Sequence, residues 1–103
     1  TIANNVADNY ILLIIDNGSY GSTGDQPTYA GKKTKLEAVA SACGCENVVT
    51  CKDVDTGKAL QAAIDSKQMT IIVSKCDSGN IKLPVITMDP VVIRDRFMKA
   101  VSA

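Results

Sequence analysis

The chain has no histidine and no tryptophan, and only one phenylalanine and three tyrosines among its 103 residues. Without histidine, neither a Ser-His-Asp triad nor a Cys-His pair can be assembled from it. A mixed cysteine–histidine zinc site is excluded for the same reason. Eleven basic and eleven acidic residues cancel to a formal charge of zero, which removes the electrostatic footprint of a nucleic-acid or anionic-membrane binder. No apolar run approaches the roughly 18 residues of a membrane helix. No charged start followed by a cleavage site marks a secretory leader. Neither a P-loop nor a dinucleotide fingerprint occurs. A cytoplasmic protein with no nucleic-acid or membrane partner is the expectation.

What the chain does have is aliphatic bulk. Hydrophobic residues make up 46% of it, enough for the core of one small domain spanning residues 1–103. That core should be built of Ile, Val, Leu and Ala. Four cysteines are present: Cys43, Cys45, Cys51 and Cys76. The Cys43-Gly44-Cys45 spacing is tighter than the two to four intervening residues of a zinc knuckle. Cys51 and Cys76 lie in apolar runs, where a free thiol behaves as a small hydrophobe. Buried, reduced thiols are expected, with reversible oxidation near Cys43 or Cys45 as the alternative.

The hydrophobic pattern alternates between two periods. Residues 1–8 read as the end of a helix, with Ile2, Val6 and Ala3 facing inward. Residues 10–15 are nearly all apolar, as in a strand buried on both faces of a parallel sheet. Residues 34–43 read as a helix, because Leu36, Val39, Ala40 and Cys43 recur at helical spacing. Thr34 with Glu37 suggests a capping box, and Gly44 a stop. Residues 47–52 form a valine-rich strand. Residues 55–66 make a second helix, with Leu60, Ala63 and Ile64 inward and Asp55 or Thr56 as its cap. Residues 69–74 are a third strand and 77–84 a loop. Asp89-Pro90 opens a last helix, with Asp as N-cap and Pro at the first helical position; Val92, Ile93, Phe97 and Val101 give it an apolar side. Such alternation predicts an α/β fold: a three-layer arrangement of parallel sheet with helices on both faces, joined by right-handed crossovers.

One junction departs from plain connection. After the first strand come Asp16, Asn17, Gly18, Ser19, Tyr20, Gly21, Ser22, Thr23, Gly24, Asp25, Gln26, Pro27 and Thr28. The loop from 17 to 31 is too long to be a simple link in a small domain, and loops of that length usually carry function. In open α/β sheets ligands sit off the carboxyl ends of strands. Asn17 offers a neutral oxygen there, and backbone carbonyls offer more; a hard cation such as Mg²⁺ takes donors of this kind, shared with phosphate oxygens. A polar turn satisfying its own backbone is the plain alternative. Lys32, Lys33 and Lys35 follow as a basic cluster that could attract an anionic substrate or simply be solvated. Arg94 and Arg96 suit surface ion pairing with Asp95 or Asp89.

The stretch from Ile15 to Thr28 resembles the thiamine-diphosphate site of 2-oxo-acid decarboxylases, in particular the sulfopyruvate and phosphonopyruvate decarboxylase group. Leu83-Pro84-Val85-Ile86 and Ile93-Arg94-Asp95-Arg96-Phe97-Met98 resemble the C-terminus of the archaeal sulfopyruvate decarboxylase β subunit. The resemblance implies the C-terminal part of a thiamine-diphosphate-binding fold. It implies Mg²⁺ held by the Asn17 side chain and the Ser19 carbonyl, and a cofactor contacted by Asp16, Gly18, Tyr20 and Thr23. Asp16 would orient Asn17 or cap the loop rather than bind metal, and Tyr20 would pack near the diphosphate. Thr23, Gly24 and Gln26 would form the mouth of the substrate cavity. The implied activity is decarboxylation of sulfopyruvate to sulfoacetaldehyde and CO₂, on the way to coenzyme M. Phosphonopyruvate is the rival substrate.

The family pattern opens with Gly-Asp-Gly, whose aspartate is a further metal ligand, between two and three dozen residues before the asparagine. Only sixteen residues precede Asn17, and none forms Gly-Asp-Gly. The chain is therefore expected to be one part of a cofactor-binding domain, completed by a partner subunit or domain that supplies the activating glutamate. Association through an exposed sheet edge, as an oligomer or with a partner, follows. A non-catalytic assembly or binding subunit is the alternative from another functional class.

Overall fold

A computed structural model of the chain describes residues 1–5, 7–79 and 89–102. Val6 and the Leu83-Pro84-Val85-Ile86 match lie outside the described residues. The elements follow the predicted alternation. A single 3₁₀ turn, Ile2–Asn4, precedes strand β1, Ile11–Asp16. A small ribbon of β2, Ser19–Tyr20, and β3, Gln26–Pro27, folds out of the long loop. Helix α1, Leu36–Ala42, leads to β4, Val48–Lys52. A 3₁₀ turn, Asp53–Asp55, runs into helix α2, Thr56–Ser66, and then β5, Thr70–Lys75. Helix α3, Pro90–Val101, comes last.

The main sheet is parallel and ordered β1-β5-β4. The chain therefore steps over the place of β5 on its way from β1 to β4, then returns. Right-handed crossovers in opposite directions put α1 and α2 on opposite faces. The packing agrees. Leu12, Ile14 and Val48 pack with Ala40 of α1 around Cys45, Met69 and Ile71. On the other face, Ser74 of β5 meets Thr56 at the start of α2 through a 2.6 Å hydroxyl–hydroxyl hydrogen bond. The predicted three layers are present.

Burial follows from that order. β5 is covered on both faces and both edges; Ile72 and Val73 are fully buried and Ile71 nearly so. β1 and β4 are edge strands and each is partly exposed, so residues 10–15 do not form the strand buried on both faces that their apolar run predicts. On β1, Ile15 is 60% exposed while Ile14 packs against the core.

Several local expectations need correction. The N-terminal helix is one 3₁₀ turn, though Ile2 and Ala3 do pack against the core. The Thr34–Glu37 capping box does not form: Lys35 occupies the N-cap, with no side-chain bond. Helix α2 lacks a side-chain cap too, because the 3₁₀ turn holds Asp55 in helical geometry and Thr56 bonds to Ser74 instead. Val39 and Ile64 are more than half exposed, since α1 and α2 cover the central strand and leave clefts along β1. The buried thiol is Cys45; Cys51 is half-buried in β4, and Cys76 is half-buried just past β5 rather than within a strand. The apolar side of α3 is exposed, Phe97 included.

The signals at other helix ends hold. Asp89 Oδ1 accepts from the Val91 and Val92 amides at 2.9 and 3.4 Å, with Pro90 at the first helical position. Gly44 takes φ +97° just after α1, a conformation that stops the helix without a Cβ penalty. Arg94 pairs with Asp95 at 2.7 Å, as expected of a surface arginine.

Candidate functional site

The loop of interest starts where β1 ends, at the carboxyl edge of the sheet, beside the last residue of the central strand. Asp16 is paired in register with Lys75, and the Cys76 amide donates to the Asp16 carbonyl at 3.0 Å. Two successive turns then fold the chain back. The Gly18 amide donates to Asp16 Oδ1 at 3.0 Å, and the Ser19 amide donates to Asn17 Oδ1 at 3.1 Å. Side-chain oxygens of Asp and Asn bond the backbone two residues on in this way.

Both oxygens of Asp16 are engaged. Lys75 Nζ lies 2.5 Å from Oδ2, and the Asp16 side chain is only 8% exposed. That ammonium, donating its hydrogen bond, holds the carboxyl below the usual carboxylate range; the Gly18 amide adds to the effect, and burial opposes it. Asp16 is thus a fixed anion that caps the loop.

The turn is held from the far side as well. Gly18 has φ +66°, the left-handed region open to glycine. Its carbonyl accepts from the Thr28 amide at 2.8 Å. Gly31 closes over it so tightly that a Cβ there would lie 2.6 Å from the Gly18 oxygen. The ribbon pairs Ser19 with Pro27 and Tyr20 with Gln26. Beyond it, Thr23 Oγ1 donates to Gln26 Oε1 at 3.1 Å, and Gln26 Nε2 donates to the Thr23 carbonyl at 3.0 Å. The Tyr20 carbonyl receives the Thr23 and Asp25 amides at 3.2 and 3.1 Å. Ser78 Oγ donates to Asp25 Oδ2 at 3.4 Å, tying the segment after β5 to the loop tip.

All eight anticipated residues therefore lie on one loop, but in two zones. Asp16, Asn17, Gly18 and Ser19 form a half-buried turn against the sheet, whereas Tyr20, Thr23, Gly24 and Gln26 stand exposed at the tip. Lys32, Lys33 and Lys35 are also exposed.

The residues present fit a hard cation in part. Asn17 Oδ1 receives one N–H, and an amide oxygen has a second lone pair to give. Pro27, opposite Ser19, has no N–H and cannot donate to the Ser19 carbonyl. Ser19 Oγ is buried with no hydrogen-bond partner. Two oxygens supply a third of an octahedral shell, and Mg²⁺ habitually completes its shell with waters and phosphate oxygens. Among the described residues no cluster of three acidic, cysteine or histidine side chains offers a competing metal site. No described helix is long and apolar enough to cross a membrane.

Sequence reasoning missed Lys75. A lysine after an apolar strand reads as a solvated strand end; only the register across the sheet places it on Asp16.

Comparison with known proteins bears on the same loop. The profile of the family described as thiamine pyrophosphate enzyme, C-terminal TPP binding domain, matches residues 1–74. A sulfopyruvate decarboxylase subunit beta from Methanocaldococcus jannaschii is 41% identical over 93 residues, covering 90% of this chain and 50% of that protein. The subunit of that name from Methanococcus maripaludis is 34% identical over 98% of this chain and 54% of its own length. A phosphonopyruvate decarboxylase from Streptomyces hygroscopicus is 38% identical over 70% of this chain and 18% of its own. The chain spans about half the length of the curated subunits it matches. No solved structure gives a significant match.

Proposed function

The chain belongs to the C-terminal thiamine-pyrophosphate-binding domain family of thiamine pyrophosphate enzymes, and from that membership we propose that it is the cofactor-holding part of a Mg²⁺-dependent 2-oxo-acid decarboxylase. Sulfopyruvate is the proposed substrate, converted to sulfoacetaldehyde and CO₂ in the cytoplasm as a step toward coenzyme M. The observation that carries the proposal is the Asn17 turn, fixed at the carboxyl end of β1 in a chain so similar to sulfopyruvate decarboxylase subunits. Phosphonopyruvate is the second reading, favoured by the Streptomyces relative; both substrates are small anionic 2-oxo acids.

In this assignment Asn17 Oδ1 and the Ser19 carbonyl hold Mg²⁺, and the metal holds the diphosphate. Asp16 carries no metal; it locks the turn from which Asn17 projects. Gly18 and Thr23 contact the cofactor through the loop backbone and hydroxyl, and Tyr20 packs beside the diphosphate. Gly24 and Gln26 border the substrate, and the Lys32, Lys33 and Lys35 group draws the anion inward. When bound, thiamine diphosphate supplies the carbon nucleophile and the electron sink for decarboxylation, while the protein binds, orients and excludes water. A partner subunit or neighbouring domain supplies the activating glutamate, and the family's Gly-Asp-Gly aspartate with waters and phosphate oxygens completes the metal shell; the working enzyme is an oligomer.

The test uses the whole protein with its partner. Asn17→Ala should abolish Mg²⁺-dependent retention of thiamine diphosphate after dialysis, whereas Ser19→Ala, which leaves the carbonyl in place, should be mild. Equal losses from both would refute the assigned roles. Release of CO₂ from sulfopyruvate against phosphonopyruvate decides the substrate, and turnover of neither would leave an assembly subunit.

A further inference from the structure

We propose that Lys75, the last residue of the central strand, is a positioning residue for the metal-binding turn. This rests on the assignment of Asn17 and Ser19 made above, and it deepens it. The geometry is a chain of three contacts. Lys75 Nζ holds Asp16 Oδ2 at 2.5 Å, Asp16 Oδ1 receives the Gly18 amide at 3.0 Å, and Asn17 Oδ1 receives the Ser19 amide at 3.1 Å. Lys75 reaches Asp16 across the sheet from the most buried strand, whose neighbours Ser74 and Val73 are almost wholly enclosed. The ammonium thus ties the loop to the most buried strand of the sheet.

The carboxylate needs this partner. At 8% exposure, its charge is largely removed from water, and a buried anion is costly unless paired and hydrogen-bonded. Without Lys75, Asp16 would turn toward solvent, which loosens the Gly18 bond. Asn17 and Ser19, one residue on either side of Gly18, would lose their fixed spacing. The Cys76 amide, donating to the Asp16 carbonyl, holds only the main chain of β1; the side-chain orientation depends on Lys75. Among the described residues no other cationic side chain bonds to Asp16.

Groups that orient a metal's ligands typically matter 10- to 100-fold in metal affinity. Lys75→Met keeps the length of the side chain and removes the charge. In the whole protein, this change should raise the Mg²⁺ concentration for half-maximal cofactor retention by about 10-fold or more. Lys75→Arg, which can still reach the carboxylate, should restore most of the loss. The second readout needs neither metal nor cofactor: amide hydrogen exchange at Gly18 and Ser19 should speed up at least several-fold in Lys75→Met, with Ile72 and Val73 unchanged. Asp16→Asn provides a further variant: it leaves a single acceptor oxygen where the carboxylate uses one for Gly18 and the other for Lys75, so exchange at Gly18 and Ser19 should speed up as in Lys75→Met. Unchanged exchange at Gly18 and Ser19 in Lys75→Met overturns the proposal. So does accelerated exchange throughout β5, which would make Lys75 a general stabiliser. If exchange responds while Asn17→Ala leaves cofactor retention intact, the turn is positioned by Lys75 and the metal assignment is what fails.

Discussion

Lys75 Nζ sits 2.5 Å from Asp16 Oδ2, joining two residues that are 59 apart in sequence and opposite each other at the carboxyl ends of β5 and β1. The pair marks where the sheet hands over to the loop that carries Asn17. Its strength comes from asymmetry: Asp16 is nearly enclosed, while Lys75 keeps about a third of its side chain in water. The ammonium therefore pays little desolvation, and the carboxylate gains a partner it needs.

A pH dependence follows from the sign of the Asp16 shift. Its folded pKa lies below the ordinary carboxylate value of about 3.9. The stabilisation is therefore fully present above about pH 4 and is lost as pH falls through the lower, folded value. Circular dichroism during acid titration should show stability dropping below about pH 4. Asp16→Asn should flatten that segment of the curve, and an unchanged slope would show that Asp16 is not the linked group.

Two glycines should respond in opposite directions to alanine. At Gly31 a Cβ would meet the Gly18 carbonyl at 2.6 Å, backbone against side chain, so the loop must shift. Gly31→Ala should cost about 1–3 kcal/mol, the usual scale of overpacking. Gly57, in the first turn of α2, has nothing within 4 Å of a Cβ. Gly57→Ala should stabilise by about 0.4–1 kcal/mol by restricting the unfolded chain. Urea midpoints moving the same way for both would contradict the packing.

The central strand should dominate stability. Ile72 is fully buried between the two helical layers, whereas Phe97 on α3 is 64% exposed. Ile72→Ala should cost about 2–5 kcal/mol in denaturant melts. Phe97→Ala should stay within about 0.5 kcal/mol, as exposed substitutions usually do. A comparable loss at Phe97 in the chain alone would show that α3 is packed.

The thiols should label in order of exposure. Cys43 is exposed, Cys51 and Cys76 are half-buried and Cys45 is buried in the α1-side core. A maleimide pulse under native conditions, read by mass spectrometry, should modify Cys43 first. Cys45 should react only on opening of the sheet–α1 core. Early modification of Cys45 would contradict its placement.

Much was legible before any coordinates. The apolar runs named β1, β4 and β5 to within a residue or two, because unbroken stretches rich in Ile and Val favour a pleated strand at the edge of a sheet as well as at its centre. Asp89-Pro90 announced the start of α3 because a cap and a proline act within one turn. Asn17 was legible as the candidate ligand because an amide stood where β1 ends and a Gly- and Thr-rich loop begins, and the structure puts it in a turn at that strand end. The family likeness was carried by the same residues.

Signals that compete with tertiary contacts were misread. Thr34 and Glu37 have capping-box spacing, yet the helix starts one residue after Lys35 with no side-chain cap. Thr56 could have capped α2 but found Ser74 across the layer. Ile64 and Val39 sit at helical spacing with their inward neighbours, yet they look onto clefts beside β1, which neither helix covers.

The sequence by itself determined the elements and the loop that interrupts them, because propensity, periodicity and capping are local energies summed over a few neighbouring residues. Only the tertiary structure decided that β5 is central, that Asp16 meets Lys75, and that Cys45 rather than Cys51 is enclosed. Those outcomes depend on strand order and register, which right-handed crossovers and the burial of both sheet faces fix together. No window of sequence contains both partners of such a contact, so the chemistry at the carboxyl edge could be named from the loop but not assembled from it.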